Sequence, residues 1–200
     1  MLTFFHAPRS RSSRILWLLE ELGVPYDTKL VEIKRRDGSG GADEAYRVVN
    51  PHLKVPSVVH DGHPVIESSA ICLYLADAFP AAKLAVPIGD PERADYVTWL
   101  VYSGADFEPA IIGKLLQWKN LAYSIADPDE VVDHVERTLG QSDYIVGAQF
   151  TAADIMICSV LQFAMEVSKV IPPRPIFEAY VKRCTSRPAC VRALAKDATG

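Results

Sequence analysis

The segment Lys54–Ser69 constrains the fold of this 200-residue chain more than any other stretch. It contains two short apolar runs separated by Asp61-Gly62, a dipeptide typical of tight β-hairpin turns. A helical pattern begins directly after the second run, at Glu67 or Ser68. The segment therefore predicts a hairpin that leads into the N-terminus of a helix.

Both ends of this segment carry groups that suit a small zwitterionic peptide. A cis bond between Val55 and Pro56 would turn the amide and carbonyl of Val55 away from the sheet, where a peptide can pair with them. Glu67 and Ser68 place a carboxylate, a hydroxyl and unpaired amides at one helix start, which suits an ammonium and a carboxylate. Lys54 adds a cation at the other end. The alternative is a trans proline on an edge strand, followed by an ordinary capped helix.

The remaining pattern of residues 1–80 predicts an α/β domain. Leu2–His6 is a short apolar run typical of a buried strand. A helical run follows and ends at Gly23, and Tyr26–Ile33 then predicts a second strand. A strand–helix–strand order favours parallel pairing of the two strands. With the hairpin and its helix, this order is that of a thioredoxin-like domain.

The second half of the chain has a different character. The stretch Pro80–Pro91, which also contains Pro87 and Gly89, predicts a linker over residues 81–90. Residues 91–200 show helical patterns and no convincing strand. The first of these helices is predicted over Pro91–Gln117, with bends at Ser103-Gly104 and at Pro109. We therefore expect an all-helical second domain.

Several motifs resemble the cytosolic glutathione transferase family. Residues 55–59 and 66–71 resemble its glutathione-binding half. Residues 50–54 are similar to its Asn-Pro-x-Gly-Lys lead-in, with Leu53 in place of the glycine. Thr151–Ile155 has a capping-box pattern and resembles the start of the family's core C-terminal helix. The resemblance implies the glutathione transferase fold, an α/β thioredoxin-like N-terminal domain followed by an all-α C-terminal helical domain, in a homodimer.

The resemblance also implies glutathione as co-substrate and assigns its contacts. The main chain of Val55, ahead of Pro56, would pair with the cysteinyl part of glutathione, as an added strand does. Lys54 would meet the glycyl carboxylate. Glu67 would take the γ-glutamyl ammonium, and Ser68 with its helix-start amides would take the adjacent carboxylate. For Lys54 and Glu67, the alternative is a solvated surface charge.

If glutathione binds, its own thiol is the nucleophile, so the protein has to favour the thiolate. In serine-type members of the family, the active serine precedes the first helix and lies four residues before an arginine. Ser10 and Arg14 repeat that spacing. Ser12 and Ser13 are rivals, and helix capping is the alternative role for each of the three serines. A tyrosine-type or cysteine-type mechanism is disfavoured, because the first strand ends without a tyrosine and the turn contains no cysteine.

The electrophile is expected to be a small hydrophobic molecule bound next to the long predicted helix. Tyr102, Phe107 and Trp118 are the candidate pocket residues, and core or dimer packing is an equal alternative for each. The same thiolate chemistry would also serve a glutathione-dependent isomerase, dehalogenase, lyase or peroxidase. A non-catalytic glutathione-binding module is the remaining alternative.

Composition excludes other classes of function. The net charge of −4 and the isoelectric point near 5.7 offer no basic surface for nucleic acid. The N-terminus lacks signal-peptide features and no long apolar run occurs, so we expect a cytoplasmic protein without a membrane span. The 4 cysteines and 5 histidines are dispersed, and no metal site is predicted.

Overall fold

The computed structural model describes residues 1–35, 37–118 and 126–199. These residues form two compact units, one made of Met1–Ala82 with Pro188–Gly200 and the other of Lys83–Arg187. The predicted division at residues 80 and 91 differs from this grouping in one main respect. The last helix, which the sequence pattern places in the helical half, packs within the first unit.

The first unit is built on a four-stranded mixed sheet with the strand order β2-β1-β3-β4. The first two strands pair in parallel, which confirms the predicted βαβ unit. The last two pair in antiparallel fashion around Asp61 and Gly62, whose φ angles of 49° and 85° are those of a type I′ turn. The predicted hairpin is therefore confirmed. The strands are β1 (Leu2–His6), β2 (Asp27–Leu30), β3 (Ser57–His60) and β4 (His63–Ile66).

Three α-helices and two short 3₁₀ helices complete the first unit. Helix α1 ends at Gly23, which adopts a φ of 65° and donates its N–H to the carbonyl of Leu19 at 3.1 Å, as the sequence predicts. The core lies between the sheet and the first two helices, where Phe4, Val58 and Ile71 are fully buried. The helices are α1 (Ser12–Leu22), α2 (Ser68–Ala78) and α8 (Pro188–Ala198), and the 3₁₀ helices span Glu44–Val48 and Pro80–Ala82.

Helix α8 is attached to α1 by a cluster of charged groups around Glu20. The Nε of Arg192 lies 3.0 Å from one carboxylate oxygen of Glu20, and the ammonium of Lys196 contacts the other. The hydroxyl of Tyr26 donates to the same carboxylate at 2.6 Å. These donors lower the pKa of Glu20, although burial opposes them. The cluster attaches α8 to α1 and to the residue that precedes β2.

The described part of the second unit is helical and contains no strand. The long helix predicted up to Gln117 is divided at Ser103–Phe107 by a π-helical turn, at the position where the sequence predicts a bend. None of the described helices has the length and apolar composition that a membrane span needs. The helices are α3 (Arg93–Tyr102), α4 (Glu108–Leu115), α5 (Pro128–Leu139), α6 (Ala152–Gln162) and α7 (Pro175–Thr185), and a second π-helical turn spans Phe163–Val167.

The predicted capping box at the start of α6 is confirmed, and it belongs to a buried network. Asp154 accepts the N–H of Thr151 at 2.8 Å through one carboxylate oxygen. Its other oxygen accepts the N–H of Ile145 at 2.8 Å and the hydroxyl of Tyr180 at 2.9 Å. Burial raises the pKa of Asp154 to about 6, although these donors oppose the shift. The carboxylate thus connects the loop before α6 to helix α7.

Candidate functional site

The predicted glutathione-binding residues meet at one edge of the sheet. Phe5 near the end of β1 pairs with Ser57 at the start of β3, and Ser57 pairs with Ile66 at the end of β4. Three segments adjoin these paired strand ends. The turn before α1 follows β1, the segment Lys54–Pro56 precedes β3, and the start of α2 follows β4. The topology therefore brings three predicted parts of the site to the same edge.

The main chain of Val55 lies just outside the strand ladder. The β1–β3 pairing ends at Ser57, two residues further along, and the Val55-Pro56 peptide bond is cis. The Val55 side chain is buried in a cluster with Phe5 and Tyr46. The side chain thus anchors this residue, while its main chain lies at the edge where a peptide could pair.

The loop before Val55 is held by two side-chain donors. The carbonyl of Lys54 accepts the hydroxyl of Tyr46 and the amide of buried Asn50, each at 2.9 Å. Both donors also contact the hydroxyl of Ser57, at 2.8 and 3.1 Å. Leu53 has a φ of 55°, a left-handed conformation that suits the glycine it replaces. Leu53 thus adopts a left-handed conformation at the position of the family's glycine, and the Lys54 side chain is exposed.

Glu67 and Ser68 form the start of α2. Glu67 is exposed and precedes the helix with a φ of 68°, which is uncommon for a residue other than glycine. Ser68 is the first helical residue and is 8% exposed. The first turn of α2 contains no acidic side chain, so the positive end of the helix dipole favours an anion there. The pair can therefore offer one anionic and one anion-binding group.

Ser10 lies in the turn before α1 and is partly exposed. Its hydroxyl donates to the carbonyl of Ala7 at 2.7 Å and accepts the N–H of Ser12 at 3.1 Å. The carbonyl of Ser10 accepts the N–H of Ser13 at 3.0 Å. The Ser10 side chain thus accepts an N–H at the start of α1, although Arg11 occupies the N-cap position, and its hydroxyl proton is donated to the Ala7 carbonyl.

The two rival serines are more enclosed or already paired. Ser12 is fully buried, and its hydroxyl oxygen accepts the N–H of Ala7 at 3.0 Å. It also lies 2.8 Å from the Nδ1 of His6. Ser13 donates its hydroxyl to Asp197 at 2.8 Å. This placement favours Ser10 over both rivals.

His6 and Asp197 lie beside the serine turn, and the sequence analysis did not identify them as neighbours of the site. His6 is 4% exposed at the end of β1, and its Nε2 lies 3.1 Å from the Oδ1 of Asp197 on α8. Burial lowers the pKa of His6, while the nearby carboxylate acts in the opposite direction. No local motif connects residues so far apart in the chain. The described residues contain no group of three or more His, Cys, Asp or Glu side chains suited to a metal ion.

Comparison with known proteins identifies the family. Residues 9–78 match the family described as glutathione S-transferase, N-terminal domain, and residues 123–188 match the glutathione S-transferase, C-terminal domain. The chain belongs to the glutathione S-transferase family. Glutathione S-transferase 3 of Schizosaccharomyces pombe is 29% identical over 95% of this chain and 85% of its own length.

Solved structures of glutathione S-transferases share the fold. One from Actinobacillus pleuropneumoniae has a TM-score of 0.83 and 27% identity, covering 99% of this chain and 93% of its own. A sphingomonad glutathione S-transferase, complexed with glutathione, has a TM-score of 0.79 and 28% identity, covering 99% of this chain and 100% of its own. These likenesses confirm the predicted fold class, a thioredoxin-like domain followed by a helical domain.

The three candidate pocket residues of this glutathione S-transferase family member lie in different environments. Phe107 is fully buried, which fits the alternative of core packing. Tyr102 packs edge-on against Trp99 and His134, and burial raises its pKa to about 12. Trp118 is 48% exposed. Tyr102 and Trp118 keep accessible surface, so they stay the stronger candidates.

Proposed function

We propose that this chain is a glutathione transferase in which the Ser10 hydroxyl stabilises the thiolate of bound glutathione for attack on a small hydrophobic electrophile. The proposal includes the homodimer that the sequence resemblance implies and the cytoplasmic location that the sequence analysis expects. The main support is the convergence of three segments at one sheet edge, through the pairing of Phe5 with Ser57 and of Ser57 with Ile66. A donor, an open main chain and a helix start are thereby grouped in the first unit.

The chemical task at this edge is small and well defined. A free thiol with a pKa of about 8.5 is roughly 3% thiolate at pH 7, whereas lowering the pKa by ~2 units gives roughly three quarters. Such a shift corresponds to about 2.7 kcal/mol of preferential binding of the thiolate. A serine hydroxyl beside a helix N-terminus supplies a charge-assisted hydrogen bond and a favourable dipole. The position of Ser10 in the turn before α1 supports this role.

The direct test uses the unmodified protein with glutathione. Thiolate absorbance, recorded during a pH titration with and without the protein, should give a bound thiol pKa about 2 units below that of free glutathione. Turnover of a neutral aryl halide should follow the same pH profile. Binding without a lowered thiol pKa or turnover would favour the non-catalytic module, and no binding at millimolar glutathione would refute the proposal.

The Glu67→Gln substitution is expected to weaken glutathione binding about tenfold, because it removes the anion proposed to pair with the γ-glutamyl ammonium. Isothermal titration calorimetry measures the change. Glu44→Gln is a matched control, since Glu44 is an exposed carboxylate of the same unit that pairs with Arg47. Equal affinities of both variants would show that Glu67 is only a solvated surface charge.

A further inference from the structure

A cavity of about 780 Å³ lies in the first unit, where α1, β2 and α8 meet. Its volume is within the range of sites that hold small organic molecules. The walls come from the end of α1, the connection to β2, the strand itself and one side of α8. The residues proposed to act on glutathione, Ser10, Lys54, Val55, Glu67 and Ser68, are not among the described residues that line it. The cavity is therefore separate from the glutathione edge of the sheet.

The cavity exists because helices cover one face of the edge strand β2 only in part. Tyr26, Thr28 and Leu30 alternate along the chain, so they share that face. Tyr26 identifies it as the helix side, since its hydroxyl donates to Glu20 of α1 at 2.6 Å. Yet Leu30 is 64% exposed, although it lies on this face. The strand thus presents an apolar side chain that α1 and α8 leave uncovered.

The apolar part of the lining continues from Leu30 onto α1. Leu16 and Leu19 line the cavity and are 3% and 0% exposed, and Val24 and Pro25 extend the lining toward β2. A single exposed leucine needs no explanation, but one that adjoins a cavity with an apolar wall provides surface for a ligand. An apolar group placed here would remove the Leu30 side chain from water.

The charged part of the lining has an excess of positive charge. Arg192 and Lys196 lie one turn apart on α8, and both bond the carboxylate of Glu20. The Glu20 side chain is 8% exposed, whereas those of Arg192 and Lys196 are 53% and 54% exposed. Burial lowers the pKa of His6, which also lines the cavity, and favours its neutral form. Two accessible cations therefore face one enclosed carboxylate.

Both cations have donors to spare for a further anion. Arg192 donates from Nε to the carboxylate of Glu20 and from a terminal nitrogen to its carbonyl, each at 3.0 Å. Lys196 contacts the same carboxylate and donates to the hydroxyl of Tyr26 at 3.2 Å. A guanidinium and an ammonium carry more N–H groups than these contacts use. Asp197, the next residue of α8, bonds the serine turn instead.

We propose that this cavity is a second binding site, which takes a small organic anion. The charged group of the ligand bonds Arg192 and Lys196 without displacing Glu20, and its apolar body covers Leu30. An inorganic anion would use only the cations, and a neutral ligand only the apolar wall. The site has no part in the thiol chemistry, so it does not depend on the proposed function.

The test compares two fluorescent probes that share a ring system, 8-anilinonaphthalene-1-sulfonate and the neutral N-phenyl-1-naphthylamine. Both are titrated into the full chain at millimolar glutathione. Thr28→Glu puts a carboxylate into the cavity from an exposed position that does not dock α8, and Thr28→Gln is its neutral match. The sulfonate should bind Thr28→Glu about tenfold more weakly than Thr28→Gln, whereas the neutral amine should bind both equally.

A second pair of variants tests the apolar wall. Leu30→Ser should weaken both probes about tenfold, because it removes the uncovered apolar side chain. Val48→Ser is the matched control, since Val48 is also an exposed apolar residue of the first unit, at 85%, and does not line the cavity. It should leave both affinities at the native value.

Four results would overturn the inference. They are a native chain that does not bind the sulfonate, equal sulfonate affinities of Thr28→Glu and Thr28→Gln, equal affinities of Leu30→Ser and Val48→Ser, and complete displacement of the sulfonate by S-hexylglutathione. The last would place the probe beside the glutathione thiol rather than in the cavity. None of these results bears on the proposed function, which fails only if glutathione is not bound or its thiol pKa is not lowered.

Discussion

Ser10→Ala is expected to raise the thiol pKa of bound glutathione by about 2 units, to the value of the free tripeptide. At pH 7 the thiolate fraction would fall from roughly three quarters to roughly 3%, so conjugation should slow about 25-fold. Above pH 9 the two proteins should converge, because the thiol then ionises without help. The pH profile of kcat, together with thiolate absorbance of the bound tripeptide, measures the effect.

Ser10→Thr is the control for this substitution because it keeps the hydroxyl. The Ser10 hydroxyl also bonds the Ser12 N–H and the Ala7 carbonyl, so Ser10→Ala should cost about 1 kcal/mol of stability on structural grounds alone. Thermal unfolding separates this loss from the catalytic one. If Ser10→Ala kept the native thiol pKa, Ser10 would have no part in the mechanism, and one of its rivals would have to supply the donor.

The parts of the fold that depend on local patterns were predictable from the sequence. The Asp61-Gly62 turn, the end of α1 at Gly23 and the capping box at Asp154 each lie within a few residues of the groups they organise. The grouping of helix α8 with the first unit could not be predicted from pattern alone, because its partner Glu20 is 172 residues away from Arg192. Helical periodicity identifies an apolar face without identifying the surface that it covers.

The second strand shows that an alternating pattern does not fix the ends of a strand. Tyr26–Ile33 alternates as a strand should, yet the strand itself spans only Asp27–Leu30 and is exposed throughout. Val31 and Ile33 continue the alternation outside the ladder and pack against the cluster that contains Tyr46. The alternating pattern therefore indicates which side chains are buried, but it overestimates the length of the strand. Side-chain burial and strand pairing produce the same alternation, so the pattern cannot separate them.

The candidate site contains residues that a local motif predicts and residues that only tertiary packing brings together. Lys54, Val55, Glu67 and Ser68 lie in one continuous stretch, so a single motif predicts them together. His6 carries no local signal, because a histidine at the end of an apolar strand resembles any other buried polar residue. Its contact with Asp197 arises from tertiary packing and becomes visible only when the last helix is docked. Sequence patterns thus identify groups that would touch the ligand better than groups that position them.

Asp154→Asn is expected to lower the free energy of unfolding by about 2–4 kcal/mol, even though it removes a buried charge. The carboxylate accepts the N–H groups of Thr151 and Ile145 and the hydroxyl of Tyr180. An amide replaces one acceptor oxygen with an N–H donor, so at least one buried donor loses its partner. Urea unfolding measures the loss. Asp143→Asn is the control, because that carboxylate is exposed and pairs with Arg183 on the surface.

The same pair of variants tests the ionisation of Asp154. Burial raises its pKa in the folded chain to about 6, above the unfolded value of about 3.9, so the native state binds this proton more tightly. The carboxyl group therefore adds stability as the pH falls through 6 toward 4, and Asn cannot. The difference in unfolding free energy between the native chain and Asp154→Asn should be about 1 kcal/mol larger at pH 5 than at pH 7. A difference that stayed constant over this range would mean that hydrogen bonding to the ionised form outweighs burial at this site.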